Sequence, residues 1–480
     1  MIHDYFAAHS YLEGYDHVQR RVIDYLVGEK SPPEEFAHLS AIKDPASKVE
    51  MLALAELSIK NYAQSGDPRE KSGGIRSAIP GLNNSFQKRI DDGLKPLGLV
   101  PVLPALGELP ELSLAVHFRF KLRQPYISHD EAALYLLDNP VRKEKVFRLP
   151  YIAPTQWKGT LHAVMASQFA TQWEGKINTD DDLKAFFRQR ARLFTLFGTE
   201  KAFELGAKSQ KKSQEKKKSQ TLYLDQLLPI ERQERGAQKY RRYVRRYLTG
   251  NGFLAGRLQF YPSFFTQLGL EVMNPHSRKT GAGALPILFE TVPKGAEAEF
   301  VLLYVPHDCI GQQQDSKVRA QVAEDLKLIA RGLSELFCLY GFGAKTTSGF
   351  GRAEEKIEGK LVLRASKLKL PDADKTDSQP AGATPLPKYL EAPDRLKPEY
   401  LNPDGTFREH SEAELKQMGK MSRWEYDKAR RWWLAQAEKA RPAAPSKPEK
   451  SWPEAAFRNF SELEKAAGDF ASALRKGDAA

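Results

Sequence analysis

Hydrophobic and polar positions alternate strictly in "ELSLAVHFRFKLR", residues 111–123. Leu112, Leu114, Val116, Phe118, Phe120 and Leu122 share one side, and His117, Arg119, Lys121 and Arg123 the other. A period of two over this length predicts a strand with one face in a core and the other a basic ladder. Three- and four-residue spacing takes over in "HVQRRVIDYLVG" and "SKVEMLALAELSIKNYA", so residues 1–107 predict a helical N-terminal region with nothing catalytic in it. A second helix is predicted from Val318, Val322, Leu326, Ile329, Leu333, Leu336, Phe337 and Tyr340, with Asp315 or Ser316 as its cap. It stops at a glycine loop, after which "RAEEKIEGKLVL" reads as a strand. Lys158 and Gly159 open an amphipathic helix, and "LGLEVMNPH" through "LLYVP" gives three strands, the last two split by a Pro293-Lys294-Gly295 turn. These elements predict an α+β core over 108–365. A Pro-, Asp-, Lys- and Ala-rich stretch, 366–400, predicts a disordered linker. Residues 401–480 then predict a helical tail with Trp424, Trp432 and Trp433, either a small module or a partner-binding segment.

Composition narrows the function classes. The 480 residues are 41% hydrophobic, enough for a substantial core, and no N-terminal basic stretch precedes an apolar run. A cytoplasmic protein with no membrane partner is expected. Cys309 and Cys338 are the only cysteines, so neither a disulfide framework nor a zinc site is indicated. The net charge of +12 is concentrated: residues 201–250 carry 14 Lys and Arg against 5 Asp and Glu. There "KSQKKSQEKKKSQ" precedes "KYRRYVRRY", where Tyr240, Tyr243 and Tyr247 interleave with Arg241, Arg242, Arg245 and Arg246. One reading is a solvated loop and an amphipathic helix with buried tyrosines; the other is a basic insertion, 200–250, whose arginines neutralise phosphates.

"GFGAKTTSGFGR", Gly341 to Arg352, holds four glycines in twelve residues. Its helix-to-strand order excludes a dinucleotide loop, which runs strand to helix, and a kinase glycine loop, which runs strand to strand. Walker A is excluded because Ala344 stands where the last glycine belongs. A simple helix stop needs only one or two glycines. The remaining expectation is that Gly341, Gly343, Gly349 and Gly351 bring backbone close to a phosphate, with amides of Thr346, Thr347 and Ser348 as donors and Lys345 and Arg352 as charges.

Three motifs in order, "DNPV" followed after seven residues by "LPYIAPTQWKG", then "EVMNPH" with "PILFETVPKGA", and finally "GFGAKTTSGFGR", resemble the RAMP superfamily of CRISPR effector complexes. The likeness spans about 111–365 and is strongest to backbone subunits of type III, Cmr- and Csm-like, complexes. It implies a ferredoxin-like, RRM-like core whose glycine loop contacts guide RNA, and hence guide RNA, target RNA and other type III effector subunits as partners. Lys158, and His162 one turn later, fall at the "WKG" helix and join the expected RNA contacts. Where the family carries small residues, this chain has Thr155, Gln156 and Trp157.

The resemblance also implies a role for Asp138. In target-slicing backbone subunits a loop aspartate before the "(S/N)PV" step serves metal-dependent cleavage of target RNA, and Asp138 matches it. Mg²⁺ would then be the cofactor; otherwise none is expected. Asp-Asn-Pro is equally a common turn, and "EVMNPH" with "VPKGA" resembles the subunit that ends the Cmr filament, which is not credited with cleavage. His129-Asp130 and His307-Asp308 lack the further ligands of an HD phosphohydrolase. His117 or His276 would be the general base if the chain were a free-standing RNA-processing enzyme.

Overall fold

The computed structural model describes residues 16–365, apart from 29, 56, 68, 70–72, 131–134, 200–222, 249–252 and 275–286. Beyond these it describes 390–392, 395–397, 400–402, 407–408, 426, 428–430, 433 and 452–476. The chain divides into two compact units, residues 1–370 with 452–480, and residues 371–451.

The first unit is built on β1, Leu114–Lys121, which takes the predicted alternation literally. Phe118 and Phe120 are buried, while Arg119 and Lys121 are exposed. β2 (Tyr151–Ile152) leads into α5, Pro154–Trp173, and α6, Asp180–Phe197, which follow the N-terminal helices α1 to α4 described below. α6 starts on a reciprocal cap between Thr179 and Asp182 and ends at Gly198. Then come α7 (Ile230–Val244), β3 (Leu258–Phe260), β4 (Ser263–Phe264), β5 (Gly269–Met273), β6 (Ile287–Thr291) and β7 (Glu297–Tyr304). α8, Ser316–Glu335, is capped by Asp315, whose carboxylate accepts from the Lys317 amide, and β8 spans Lys356–Leu363. All pairings in the main sheet are antiparallel, which with the helices makes the class α+β.

The main sheet has the strand order β11-β8-β1-β7-β3. Its other four members, β1, β3, β7 and β8, are linked in the chain order strand, helices, strand, strand, helix, strand once β11 is set aside. The fifth strand corrects the expectation for the tail: residues 454–459 are not helix but strand β11 (Glu454–Asn459), paired with β8, and only Phe460–Lys476 are helical, as α9. Phe457 and Phe460 explain this, since both insert among the core rings of Phe118 and Phe337. The 366–400 linker falls mostly outside the described residues, but Leu390–Ala392 and Arg395–Leu396 form a two-stranded pair, β9 and β10. In the second unit Leu396, Tyr400, Tyr426 and Ala429 form a small core of their own; Trp424 and Trp432 lie outside the described residues.

One face of the sheet is covered by α5, α8 and α9, with Trp157, Phe300, Phe337 and Phe342 among its buried rings. The N-terminal helices α1 (Asp16–Leu26), α2 (Pro45–Met51), α3 (Leu57–Ser65) and α4 (Ile75–Arg89) join the same hydrophobic core. Polar ties fix them: Asn83 accepts from and donates to the Leu268 backbone, and Arg148 pairs with Glu50 at 2.8 Å. Beneath them buried Glu290 accepts from Tyr135 Oη, the Val141 amide and Lys143 Nζ. Among the described residues no helix is long and apolar enough to cross a membrane.

Candidate nucleic-acid interface

The glycine loop emerges where α8 widens into a last turn, Leu336–Tyr340, and Gly341 turns the chain at φ 76°. Phe342 then enters the core completely, packing its ring on Trp157 at 4.8 Å and Phe337 at 5.4 Å. A neck closes behind it: the Phe342 amide donates to Gly351 O (3.0 Å), the Gly351 amide to Pro125 O (2.8 Å), and the Ala344 amide to Ile127 O (2.7 Å). Above the neck, Lys345 is left-handed at φ 57°, Thr346–Ser348 make one tight turn, and Gly349 is left-handed at φ 88°.

Self-packing by itself accounts for three of the four glycines. A Cβ on Gly341 would stand 2.7 Å from Phe350 O, on Gly343 2.3 Å from Ile127 O, and on Gly351 1.9 Å from Phe342 O. These glycines let the chain approach itself, because a neck this narrow has no room for side chains. A Cβ on Gly349 meets nothing within 4 Å, so this glycine is required only by its φ. The crown is also poorer in donors than expected: the Ser348 and Gly349 amides close the turn onto Lys345 and Thr346 carbonyls. Thr346 and Thr347 remain the crown's candidate amides.

Around the crown several elements meet. Tyr126, directly under Gly343, accepts no slack: it is fully buried, and its hydroxyl donates to Gln156 Oε1 (3.2 Å) in the first turn of α5. Burial raises its pKa, so the hydroxyl keeps its proton. Trp157 turns into the core, and Lys158 beside it is exposed. The exposed Lys345 holds its ammonium 5.3 Å over the Phe289 ring. Arg352 is half-buried, its carbonyl accepting from the Arg123 and Gln124 amides, and its buried Nε has no partner. Close to Tyr126, Arg142 lies 5.7 Å over Tyr151, which stacks with Phe264 at 20°; both rings are half-buried. Sequence reading missed Arg142, Tyr151 and Phe264; the first two flank the "LPYIAPTQWKG" motif or lie in it, and Phe264 lies more than a hundred residues later with no pattern in common.

The basic ladder is not a free cationic face. Glu299, opposite Arg119 across the β1–β7 pair, binds both His117 Nε2 and Arg119 Nε at 2.9 Å, and Lys121 faces Glu297. The His117 bond, aided by Arg119, holds the Glu299 carboxyl below its ordinary pKa against the effect of burial, and Glu299 in turn raises the Arg119 guanidinium. "GAEAEF" already alternates its acids in register with the ladder. His117 is thus a hydrogen-bond partner of Glu299, while His276 and Lys208 to Lys218 lie outside the described residues.

Other candidates are scattered. His162 sets its ring edge-on to Phe197, 4.9 Å away, and burial, with Lys158 adding to it, lowers its pKa; it is a packed boundary histidine. Arg241, Arg242, Arg245 and Arg246 lie on α7 and the turn after it, and Tyr240 is buried against Phe187 and under Arg190. α7 packs on α6, so these arginines join the helical layer and not the loop. Asp138 is 80% exposed, and its nearest ionic partner is Lys60 at 3.9 Å. Among the described residues no group of three or more His, Cys, Asp or Glu is arranged to hold a metal. Asp308 of the second HD dipeptide is taken by Arg257, which also binds Asp325 and Tyr304, all inside the helix–sheet junction.

No family model matches the sequence, and no curated protein sequence matches it. Three solved structures are similar in part. A type III-B Cmr-beta complex bound to cognate target RNA shares 14% identity over 71% of this chain and 87% of that one, with TM-score 0.29. A CRISPR RNA-guided surveillance complex in a pre-nicking state shares 12% over 53% and 80%, at 0.28. Cmr6 from Pyrococcus furiosus shares 16% over 52% and 98%, at 0.23. Such values leave the functional reading to the geometry of this chain.

Proposed function

We propose that this chain is an RNA-binding structural subunit of a type III CRISPR ribonucleoprotein, holding guide RNA at the crown of its glycine loop. The carrying observation is the crown itself: a rigid neck anchored by Phe342 projects Lys345, Thr346 and Thr347 beside the first turn of α5. The core supports a ferredoxin-like RAMP assignment, because four of its strands lie in the order β8-β1-β7-β3 and the loop follows the helix between β7 and β8. The chemistry suits a guide. Amides and ammonium groups bind phosphate without reading bases, so one site serves spacers of any sequence. The Tyr151–Phe264 pair adds ring surface that accepts any base. Target RNA and neighbouring effector subunits would then be partners through the guide.

Target slicing through Asp138 is less well supported. One exposed carboxylate beside a lysine does not fit a resident Mg²⁺, so no cleavage step is derived through it. His117, engaged by Glu299, is a poor general base for a free-standing processing enzyme.

The test is RNA binding by Lys345→Ala. Its affinity for single-stranded RNA should fall about equally for all sequences, and the log-log salt slope should flatten by about 0.7 for one lost phosphate contact. Unchanged affinity and slope would remove the crown from the interface.

A further inference from the structure

We infer that a cavity between α6, α8 and α9 is a second binding site, which takes a nucleotide unit: a phosphate group joined to an aromatic base. The cavity holds about 500 Å³ and is lined by Arg188, Arg192, Lys317 and Arg475 with Tyr243 and Tyr247. Four cations from three helices face one carboxylate, Glu324, which already binds Arg475 and lies 3.8 Å from Arg192. That leaves Arg188 and Lys317, both exposed, without a compensating carboxylate in the lining.

Their placement concentrates positive charge at the cleft. Arg188 and Arg192 are one turn apart on one face of α6, where like charges repel. Lys317 stands in the first turn of α8, its amide capped by the Asp315 carboxylate, and its side chain lines the cleft. Convergence of like charge from positions 188, 317 and 475 focuses a positive field into the cleft.

The tyrosines supply the second half of the site. Their ring centroids are 6.4 Å apart, and Arg246 lies 3.8 Å over Tyr243 while donating to Tyr247 Oη at 3.2 Å, which fixes the pair. Burial and the adjoining Tyr247 raise the Tyr243 hydroxyl above its ordinary pKa, so it remains a donor near neutrality. Half-buried rings beside unpaired cations seat a base next to its phosphate. The "KYRRYVRRY" motif, which the loop does not use, thereby gains a function.

The nucleotide could be free or one residue of an RNA strand, and the experiment separates the two. Full-length protein stripped of RNA is titrated calorimetrically with ADP, with pyrophosphate and with a tetraribonucleotide, as wild type, Arg188→Ala/Lys317→Ala and Lys345→Ala. ADP should bind, roughly tenfold or more weaker to the double variant and unchanged with Lys345→Ala. If only the tetranucleotide binds with that same pattern, the site holds a strand residue and the inference stands. Pyrophosphate binding as tightly as ADP would overturn the seat for a base. Absence of binding, or binding indifferent to the Arg188→Ala/Lys317→Ala change, would overturn the site. Both exchanged side chains are exposed, and an unchanged melting temperature verifies that the variant is folded.

Discussion

Alanine at position 351 should damage the fold, whereas alanine at 349 should not. Both glycines have positive φ, 71° and 88°, so each substitution forces an L-residue into the left-handed region at about 1–2 kcal/mol. Only at 351 does the new methyl collide, 1.9 Å from Phe342 O. Relief requires breaking the Phe342 N–H···O=C Gly351 bond, worth about 1 kcal/mol, and drawing Phe342 part-way out of its rings. Full deletion of such a buried phenylalanine costs about 3–5 kcal/mol. A third of that, added to the other two terms, puts Gly351→Ala at about 3–5 kcal/mol against about 1–2 for Gly349→Ala. Urea unfolding of both variants, compared at equal m, measures the difference directly. Equal midpoints for the two variants would refute the idea that Gly351 serves a self-packed neck.

Ending the chain at residue 451 should leave it insoluble or without a cooperative melt, because β8 becomes an exposed edge and Phe457, Phe460, Leu463 and Phe470 leave the core; a soluble, cooperatively melting product would show that β11 and α9 are accessory. Asp138→Ala should shift stability by less than about 1 kcal/mol, since its contact with Lys60 is exposed, and should leave guide RNA bound and the pattern of target cuts in a reconstituted complex unchanged. Loss of Mg²⁺-dependent cuts at one position would instead make Asp138 a slicing residue. His162 has a folded pKa below its ordinary 6.5, so stability present above pH 6.5 should be lost as pH falls, levelling off once the folded form also takes the proton. Denaturant midpoints of His162→Gln should decline less between pH 7 and about pH 5 than those of wild type, and parallel curves would show that the imidazole is not held neutral by packing.

Local pattern carried the fold further than it carried the site. Alternation placed β1 within a few residues, and Asp315 capped the helix that apolar spacing had outlined, because both signals are local. β11 was read as helix because "EAAFRN" is rich in helix formers; its pairing with β8, ninety-odd residues earlier, overrides propensity. The glycine loop stands out in the sequence, yet three of its glycines answer to carbonyls of Phe350, Ile127 and Phe342, which no local rule could name. The ladder looked cationic because β1 was read alone; its acids sit on β7, and only register brings Glu299 to Arg119. The cavity of Arg188, Lys317 and Arg475 joins residues from three helices, and only its two tyrosines, Tyr243 and Tyr247, stand out in any window of sequence.

The central claim, that this chain holds guide RNA in an effector assembly, is met most directly by sequencing the RNA that copurifies with the full-length protein from cells carrying a CRISPR array. Repeat–spacer RNAs of uniform length are expected, spacers of every sequence being represented, with depletion when Lys345 is replaced by alanine. Repeat-only fragments, or RNA no different from the total cellular pool, would contradict it.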